Sequence, residues 1–238
     1  MKEAIKQYMA KNGLQQFCPQ TALFDMDGVL YDSMPNHAVA WHDSMKEYNL
    51  RISHEEAYLY EGMRGVETIK LLAQDQWKRD ISDEEAQQMY VTKSEHYAKR
   101  ATANLIPGVL DLQRYLREKK ITIGVVTGSG QLSLIQRILR DFDGLVSPDV
   151  IVSAHDVNHG KPAPDPYLMG MQKAKSSPCD TIIVENAPLG VQAGIAAGCF
   201  TVAVNTGPLS DDILRKAGAD IVFPDMNTFL NSLKDTLS

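Results

Sequence analysis

The sequence has few cysteines and no long apolar run. Its three cysteines, Cys18, Cys179 and Cys199, are widely spaced, so neither a disulfide framework nor a cysteine zinc site is predicted. No apolar segment has the length of a membrane span. The N-terminal stretch MKEAIKQYMAKNGL lacks the apolar core of a secretory signal. We therefore expect a cytoplasmic protein without a membrane partner.

An excess of basic residues is also missing. The net charge is −6 over 238 residues, and the Lys and Arg residues are scattered. Nucleic-acid binding requires basic residues that are grouped to neutralise phosphates, so we expect no nucleic-acid partner. The hydrophobic content of 44% is ordinary for a globular protein. The length allows one large core or two modest ones.

Beyond residue 103 the sequence alternates between short apolar runs and amphipathic stretches. The segments ITIGVVTG, DVIVSA, DTIIVE, FTVAVN and ADIVF have the length and composition of strands, and helical patterns separate them. Strands that alternate with helices predict a parallel sheet with helices on both faces. The predicted fold class is therefore α/β, with a Rossmann-like, doubly wound core of residues 1–33 and 104–238.

Residues 34–103 interrupt this alternation. They contain no β-branched run, and their apolar residues recur at helical spacing, as Trp41, Met45 and Tyr48 do. The pattern predicts a bundle of about four helices, inserted after the first strand as a cap domain. Because such a cap must move to admit a substrate, we expect a monomer.

The stretch TALFDMDGV carries the strongest functional signal. An apolar run from Thr21 to Phe24 ends at Asp25, and Asp27 and Gly28 follow. Both carboxylates would lie at the C-terminal end of a strand, where open α/β sheets bind their ligands. Their mutual repulsion requires a cation or a shared proton to offset it. The pair therefore indicates a catalytic or metal site.

Three more predicted strands are followed by residues that suit phosphate or a metal ion. Each residue alone has an ordinary explanation, such as a helix cap or a solvated lysine. Together they supply hydroxyl and N–H donors, a cation, and carboxylate and amide oxygens, which suit a phosphoryl group with Mg²⁺. In chain order they are Thr127, Gly128, Ser129, Lys161, Glu185 and Asn186.

In this order the motifs resemble those of the haloacid dehalogenase superfamily, in the phosphotransferase branch with a helical cap after the first motif. The DxDGV pattern after an apolar run is the specific signature, and the resemblance covers about residues 20–225. The segments SMPNHAVAWHDSM and GKPAPDPY resemble the β-phosphoglucomutase-like group. The resemblance implies a small phosphorylated substrate and Mg²⁺ as cofactor.

The resemblance also implies a role for each motif residue. Asp25 would be the nucleophile that forms an aspartyl-phosphate, and Asp27 would be the general acid and base. Lys161 would neutralise charge on Asp25 and on the phosphoryl oxygens. The residues implied to hold the phosphoryl group are Thr127, Gly128 and Ser129. The implied magnesium ligands are the Asp25 carboxylate, the Asp27 carbonyl, Glu185 and Asn186.

The sequence departs from the mutases at positions that concern the substrate. Many relatives have an acidic residue where this sequence has Asn186, whose neutral oxygen weakens the magnesium site. Mutases also bind a second phosphate through cations. Here Glu61 replaces one of them, Gly65 stands at another with Arg64 one position early, and residues 130–131 lack a third. Each charge-assisted phosphate contact contributes about 1.5–3 kcal/mol, so these losses disfavour a bisphosphorylated sugar.

Three cap residues, His37, Glu61 and Arg64, are predicted to contact the substrate. His37 matches a hinge histidine of the mutases that relays a proton. Glu61 would repel a phosphate unless it reaches the metal ion or a metal-bound water, in which case it selects a very small substrate such as inorganic pyrophosphate. Its alternative role is a solvated surface carboxylate.

The predicted activity is therefore magnesium-dependent hydrolysis of a small phosphorylated substrate. Pyrophosphate fits Glu61, and a small phosphomonoester is the neighbouring possibility. A β-phosphoglucomutase is the first alternative. A binding protein without turnover is the second, although the presence of Asp25, Asp27 and Lys161 argues against it. A dehalogenase is disfavoured, because that chemistry needs neither Asp27 nor magnesium.

Overall fold

A six-stranded parallel sheet forms the centre of the computed structural model, which describes residues 1–130 and 132–236. The strand order is β3-β2-β1-β4-β5-β6, and every neighbouring pair is parallel. The order reverses at β1, which is the point where doubly wound sheets open a crevice for ligands. The strands are β1 (Thr21–Phe24), β2 (Thr122–Val126), β3 (Ile151–Val152), β4 (Thr181–Glu185), β5 (Phe200–Val204) and β6 (Ile221–Phe223).

Helices cover both faces of this sheet. In β1 the side chains of Ala22 and Phe24 enter one hydrophobic cluster, whereas Leu23 enters another. The first cluster includes side chains of α1, α6, α7 and α11, and the second includes side chains of α8 and α9. These core helices are α1 (Lys2–Asn12), α6 (Val109–Glu118), α7 (Leu132–Asp141), α8 (Asp165–Ala174), α9 (Pro188–Ala196), α10 (Asp211–Lys216) and α11 (Met226–Lys234). The α/β fold class predicted from the sequence is thus confirmed.

Four helices lie between β1 and α6, as the helical spacing of residues 34–103 predicts. They enclose a separate hydrophobic cluster that includes Trp41, Met45, Ile69, Leu72 and Met89. We call these four helices and their connections the cap. The cap helices are α2 (Met34–Lys46), α3 (His54–Leu59), α4 (Gly65–Trp77) and α5 (Asp83–Ala98).

The predicted strand DVIVSA is shorter in the structure. It contains only Ile151 and Val152, since a 3₁₀ turn occupies the preceding residues. Helix α6 starts at Val109, because Gly108 before it has a φ of 84° and cannot be part of the helix. Position 131, one of the two at which the sequence lacks a mutase cation, lies outside the described residues.

Two negative expectations can be compared with the structure. Cys18, Cys179 and Cys199 are all free thiols. Among the described residues, no helix combines the length and the hydrophobicity of a membrane span.

The N-terminal helix α1 packs against the core through Tyr8. The Tyr8 ring contacts Phe17 and Phe200 edge-on, with centroid distances of 5.4 and 5.5 Å. Its hydroxyl lies 3.0 Å from the Pro178 carbonyl oxygen and 2.8 Å from that of Gly198. These two carbonyls precede β4 and β5, so α1 closes the end of the sheet that is opposite the strand tips carrying Asp25 and Glu185.

We expect Tyr8→Phe to lower the free energy of unfolding by about 1–2 kcal/mol, because two carbonyl oxygens lose their donor. Urea unfolding measures this change. Tyr115→Phe is the matched control, since the Tyr115 hydroxyl has no hydrogen-bonding partner in the described part of the chain. Equal losses in both variants would contradict the assigned role of the Tyr8 hydroxyl.

Candidate active site

Asp25 and Asp27 lie in a tight turn directly after β1. The Asp25 N–H donates to the Val184 carbonyl at 3.0 Å, which continues the pairing between β1 and β4 by one residue. Gly28 then turns the chain with a φ of 79°. A Cβ at this position would lie 2.0 Å from Asn186 Nδ2, so only glycine lets the turn approach the tip of β4. The predicted meeting of the first and fourth strand ends is present.

Lys161 is the cation at the centre of this site. Its ammonium pairs with Asp25 Oδ1 and donates to Glu185 Oε1 at 2.6 Å. The side chain is only 1% exposed. Burial acts to lower the pKa of Lys161, but the carboxylates of Asp25 and Glu185 outweigh this effect and raise it. Lys161 therefore stays charged and neutralises two buried carboxylates.

The two carboxylate oxygens of Asp25 have different surroundings. Oδ1 accepts a hydrogen bond from Lys161, whereas Oδ2 is buried and has no hydrogen-bonding partner among the described residues. Burial raises the pKa of Asp25 to about 8, although Lys161 opposes the shift. A buried carboxylate oxygen without a partner is costly, so this atom is arranged to meet a ligand.

A second orphaned oxygen lies at the tip of β4. Asn186 Oδ1 is buried without a partner. Together with Asp25 Oδ2 it presents the amide and carboxylate oxygens that Mg²⁺ prefers. Among the described residues, no group of three or more His, Cys, Asp or Glu side chains is arranged around a metal ion. The predicted ligand set contains only two such side chains, Asp25 and Glu185, so it would not form such a group.

Glu185 is already engaged with neighbours. Its Oε1 accepts hydrogen bonds from Lys161 and from the Tyr167 hydroxyl, and its Oε2 accepts one from the Asn186 N–H. In this arrangement Glu185 orients Lys161. Its role as a magnesium ligand remains a prediction. Sequence reasoning missed Tyr167, because it lies at an ordinary core position of α8 and is fully buried.

Glu61 brings a further carboxyl group from the cap into this site. Asn186 Nδ2 donates to both of its oxygens, at 3.2 and 3.1 Å. Glu61 is 8% exposed, and burial together with the Asp25 carboxylate raises its pKa well above the ordinary range. Glu61 is therefore not a solvated surface carboxylate. Next to it, Gly62 has a φ of 85° and lies against Lys161, where a Cβ would approach Lys161 Cδ to 2.8 Å.

Asp27 faces the cap helix α2. Its Oδ1 accepts a hydrogen bond from Ser33 Oγ at 2.5 Å and lies 3.2 Å from His37 Nε2. Burial acts to raise the pKa of Asp27, but the proximity of His37 and the hydrogen bond from Ser33 outweigh it and lower the pKa. Asp27 is therefore ionised. Although Asp27 Oδ1 is close, His37 Nε2 is buried and makes no hydrogen bond within the described part of the chain.

Lys93 of α5 is a site residue that sequence reasoning missed. Its ammonium lies 2.7 Å from His37 Nδ1 and within 6 Å of the ring centroids of Trp41, Tyr90 and Tyr97. Burial lowers the pKa of Lys93 to about 8. The sequence did contain a signal for Lys93, because residues 86, 89, 90, 93 and 97 follow helical spacing and form a largely apolar stripe on one helix. A lysine within such an apolar stripe is an exception that indicates function.

A small cavity of about 70 Å³, partly open to solvent, lies between the cap and the strand tips. This volume has room for about five water molecules. We call it the central cavity. Lys161, Glu185, Asn186 and Thr127 do not line it, and Lys161 and Glu185 support Asp25 through the contacts given above. The predicted site residues that line the central cavity are Asp25, Asp27, His37, Glu61, Gly128 and Ser129.

Thr127 supports the loop after β2. It is 4% exposed, and its Oγ1 accepts the Ser129 N–H at 3.1 Å while its own N–H donates to Val152 O. It therefore shapes the loop whose next two residues reach the central cavity. Its direct contact with a phosphoryl group remains a prediction.

Arg64 does not line the central cavity. Its Nη1 donates to the Asn158 carbonyl at 2.8 Å, and its stem packs where a side chain at Gly160 would be. Asn158 and Gly160 belong to the loop that carries Lys161. Arg64 therefore links the cap to the core, and we call this contact the Arg64 clasp. It gives no support to the prediction that Arg64 contacts the substrate.

The burial of Lys93 makes stability depend on pH. Its pKa is about 8 in the folded protein and about 10.5 when the chain is unfolded. The cost of burying its charge is complete below pH 8 and diminishes from pH 8 to 10.5. We therefore expect Lys93→Met to have a higher free energy of unfolding than the wild type at pH 7. This difference should be about 2 kcal/mol smaller at pH 9.5. Urea unfolding at both pH values measures this, with exposed Lys46→Met as a control that shows no pH-dependent difference.

The clasp interpretation of Arg64 predicts a small effect on anion binding. We expect Arg64→Ala to change the dissociation constant for inorganic phosphate by less than about threefold. Loss of a direct charged contact would instead weaken binding about ten- to hundredfold. Isothermal titration with phosphate distinguishes the two results, and the larger one would restore Arg64 as a substrate contact.

Comparisons with known proteins agree with this fold. The model of the haloacid dehalogenase-like hydrolases matches residues 22–204. Hexitol phosphatase A of Escherichia coli K12 is 34% identical over 185 residues, covering 77% of this chain and 82% of that protein. Pyrophosphatase PpaX of Oceanobacillus iheyensis is 26% identical, and the match covers 92% of this chain and 99% of that protein. A solved structure from Bacteroides vulgatus, provisionally described as a β-phosphoglucomutase, is 43% identical in sequence and superposes with a TM-score of 0.94. The match covers 99% of this chain and 96% of that one. The chain therefore belongs to the haloacid dehalogenase-like hydrolases and is a phosphatase or phosphotransferase of that family.

Proposed function

We propose that this protein is a magnesium-dependent phosphohydrolase that acts through an aspartyl-phosphate on Asp25, with inorganic pyrophosphate as its substrate. One observation carries the proposal. Asp25 is buried in the wall of the central cavity, with one oxygen fixed by Lys161 and the other without a partner. This is the arrangement expected of a nucleophile whose free oxygen meets a phosphoryl group or its metal ion.

The reaction takes two steps in this site. An Asp25 oxygen attacks phosphorus, and the bond from phosphorus to the leaving oxygen breaks as the new bond forms. Lys161 offsets the negative charge of the Asp25 carboxylate before the attack, and that of the phosphoryl oxygens while the aspartyl-phosphate exists. A water molecule then attacks the phosphorus and gives its proton to Asp27, while the bond between phosphorus and the Asp25 oxygen breaks. Inorganic phosphate leaves, Asp25 is regenerated, and Asp27 releases the proton to solvent.

Mg²⁺ fits the donor atoms on this edge of the sheet. Asp25 Oδ2 and Asn186 Oδ1 are the two orphaned oxygens that support its binding, and the Asp27 carbonyl and Glu185 would complete the protein ligands. When bound, the ion screens the repulsion between Asp25 and an anionic phosphate. It would also offset the acidity of a site in which Asp25, Asp27, Glu61 and Glu185 meet.

Two observations support pyrophosphate. Glu61 lines the central cavity, where its raised pKa means that its negative charge is unfavourable without a nearby cation, and the cavity of about 70 Å³ is small. The lowered pKa of Asp27 leaves this residue ionised, so it holds no proton to give to a leaving oxygen. Phosphate departs as a stable anion, whereas an alkoxide needs a proton. A leaving phosphate therefore suits Asp27 better than a leaving alcohol does.

A small phosphomonoester is the second candidate, and the 34% identity to a hexitol phosphatase supports it. The mutase alternative draws support from the similar Bacteroides vulgatus structure. The placement of Arg64 on the Asn158 carbonyl weighs against it, because no cation then takes the place of the missing arginine at Gly65. The proposal includes a mobile cap of residues 34–103 on a core of residues 1–33 and 104–238, in a cytoplasmic monomer.

We expect pyrophosphate to be preferred by a factor of about a hundred or more in kcat/KM, equivalent to about 2.7 kcal/mol in transition-state stabilisation. Steady-state turnover with Mg²⁺ would compare pyrophosphate, β-glucose 1-phosphate with a trace of its bisphosphate, and small phosphomonoesters. Asp25→Asn serves as the blank, and Glu61→Lys should abolish the preference.

Two results would overturn the proposal. Conversion of β-glucose 1-phosphate to glucose 6-phosphate without phosphate release would make the protein a mutase. Preference for a phosphomonoester that survives in Glu61→Lys would retain the hydrolase mechanism but remove pyrophosphate as the substrate.

A further inference from the structure

A second space lies beside the central cavity, between the cap and the core. We call it the side groove, and its volume is about 540 Å³. Helix α5 supplies one wall, and the loops after β2 and β3 supply the other. Among the residues that line only the side groove are Gln87, Val91, Ser94 and Glu95 of the cap and Ala154 and His155 of the core.

Three residues form the partition between the two spaces. Gly65, Tyr90 and Gly128 line both the central cavity and the side groove. Two of them are glycines without side chains, so the Tyr90 ring is the main body of the partition. A Cβ built on Gly65 would lie 2.0 Å from the Tyr90 ring. The ring therefore occupies the space that any side chain at position 65 would need.

We infer that Tyr90 is a specificity-determining residue, whose ring confines the substrate to the central cavity. This inference rests on the proposed function and deepens it. With the ring in place, the space beside Asp25 is closed to a large leaving group. Without the ring, the central cavity and the side groove become one continuous space that reaches Asp25.

The chemistry of the side groove identifies what this larger space would accept. Gln87, Ser94, Glu95 and His155 offer hydrogen-bond donors and acceptors on both walls. The charged side chains that line the side groove are Glu95 and Arg64, so the two charges offset each other and give no net attraction for a second phosphate. The side groove therefore suits a hydroxyl-rich leaving group, and removal of the Tyr90 ring should admit a polyol monophosphate.

The ring can be removed without losing the other contacts of Lys93. Tyr90 lies 5.8 Å from the Lys93 ammonium, but Trp41 and Tyr97 lie closer, at 5.1 and 5.4 Å, and His37 remains hydrogen-bonded to it. Tyr90→Ala and Tyr90→Leu remove the ring, and Leu keeps more of the apolar packing. Tyr90→Phe keeps the ring and removes only the hydroxyl.

The first test measures kcat/KM for pyrophosphate and for mannitol 1-phosphate with Mg²⁺ in each variant. We expect the ratio of mannitol 1-phosphate to pyrophosphate to rise at least tenfold in Tyr90→Ala and Tyr90→Leu, and to stay within about threefold of the wild type in Tyr90→Phe. Leu71→Ala, an exposed cap residue outside both spaces, controls for a general effect of trimming the cap. An unchanged ratio in folded Tyr90→Leu would overturn the inference.

The second test separates the partition from the proposed reaction. Calorimetry measures mannitol 1-phosphate binding to Asp25→Asn and to Asp25→Asn combined with Tyr90→Leu, where no turnover occurs. At least tenfold tighter binding to the double variant supports the partition, even if the wild type hydrolyses no pyrophosphate and the proposed function fails. Equal binding to both proteins overturns the partition, whatever the wild type hydrolyses.

Discussion

The ion pairs of the Lys161 ammonium with Asp25 and Glu185 are the interaction on which the rest of the site depends. They join the loop after β3 to the tips of β1 and β4, and all three side chains are nearly or fully buried. Removing one partner from a buried pair costs about 3–5 kcal/mol, because a charge is left without compensation. Lys161 therefore contributes to the stability of the sheet edge and also orients Asp25, the proposed nucleophile. The Tyr167 hydroxyl extends this network into the core behind it.

The cap completes the site by adding charges of both signs. Glu61 reaches the tip of β4 through Asn186, and Lys93 reaches Asp27 through His37. The Arg64 clasp keeps the cap on the same loop that supplies Lys161. The contacts of the cap with the core therefore complete the site and also exclude water from it. Excluding water strengthens each of these electrostatic contacts, since the surroundings have a low dielectric constant.

The sheet and the strand-end residues were predictable, because parallel strands bring their C-terminal ends to one edge. Asp25, Lys161 and Glu185 meet there for that reason alone. Residues that act from the cap were harder to predict, since their position depends on how two hydrophobic clusters pack together. Arg64 shows this, because its sequence position suggests a substrate contact whereas the path of the loop turns it onto Asn158. Lys93 and Tyr90 occupy ordinary helical core positions, and their roles follow only from the cavity that the two parts enclose.

Gly62 has a consequence for how this protein could acquire new substrates. Its backbone lies directly on the Lys161 side chain, and a φ of 85° together with the 2.8 Å approach excludes any larger residue. In the cap loop around Gly62, position 62 therefore requires glycine, whereas neighbouring positions are free of this constraint. If Glu61 and Tyr90 select the substrate as proposed, substitutions that change the substrate are expected at positions such as 61 and 90, while position 62 preserves the contact with Lys161. The same scaffold can in this way change its selectivity without rebuilding its nucleophile.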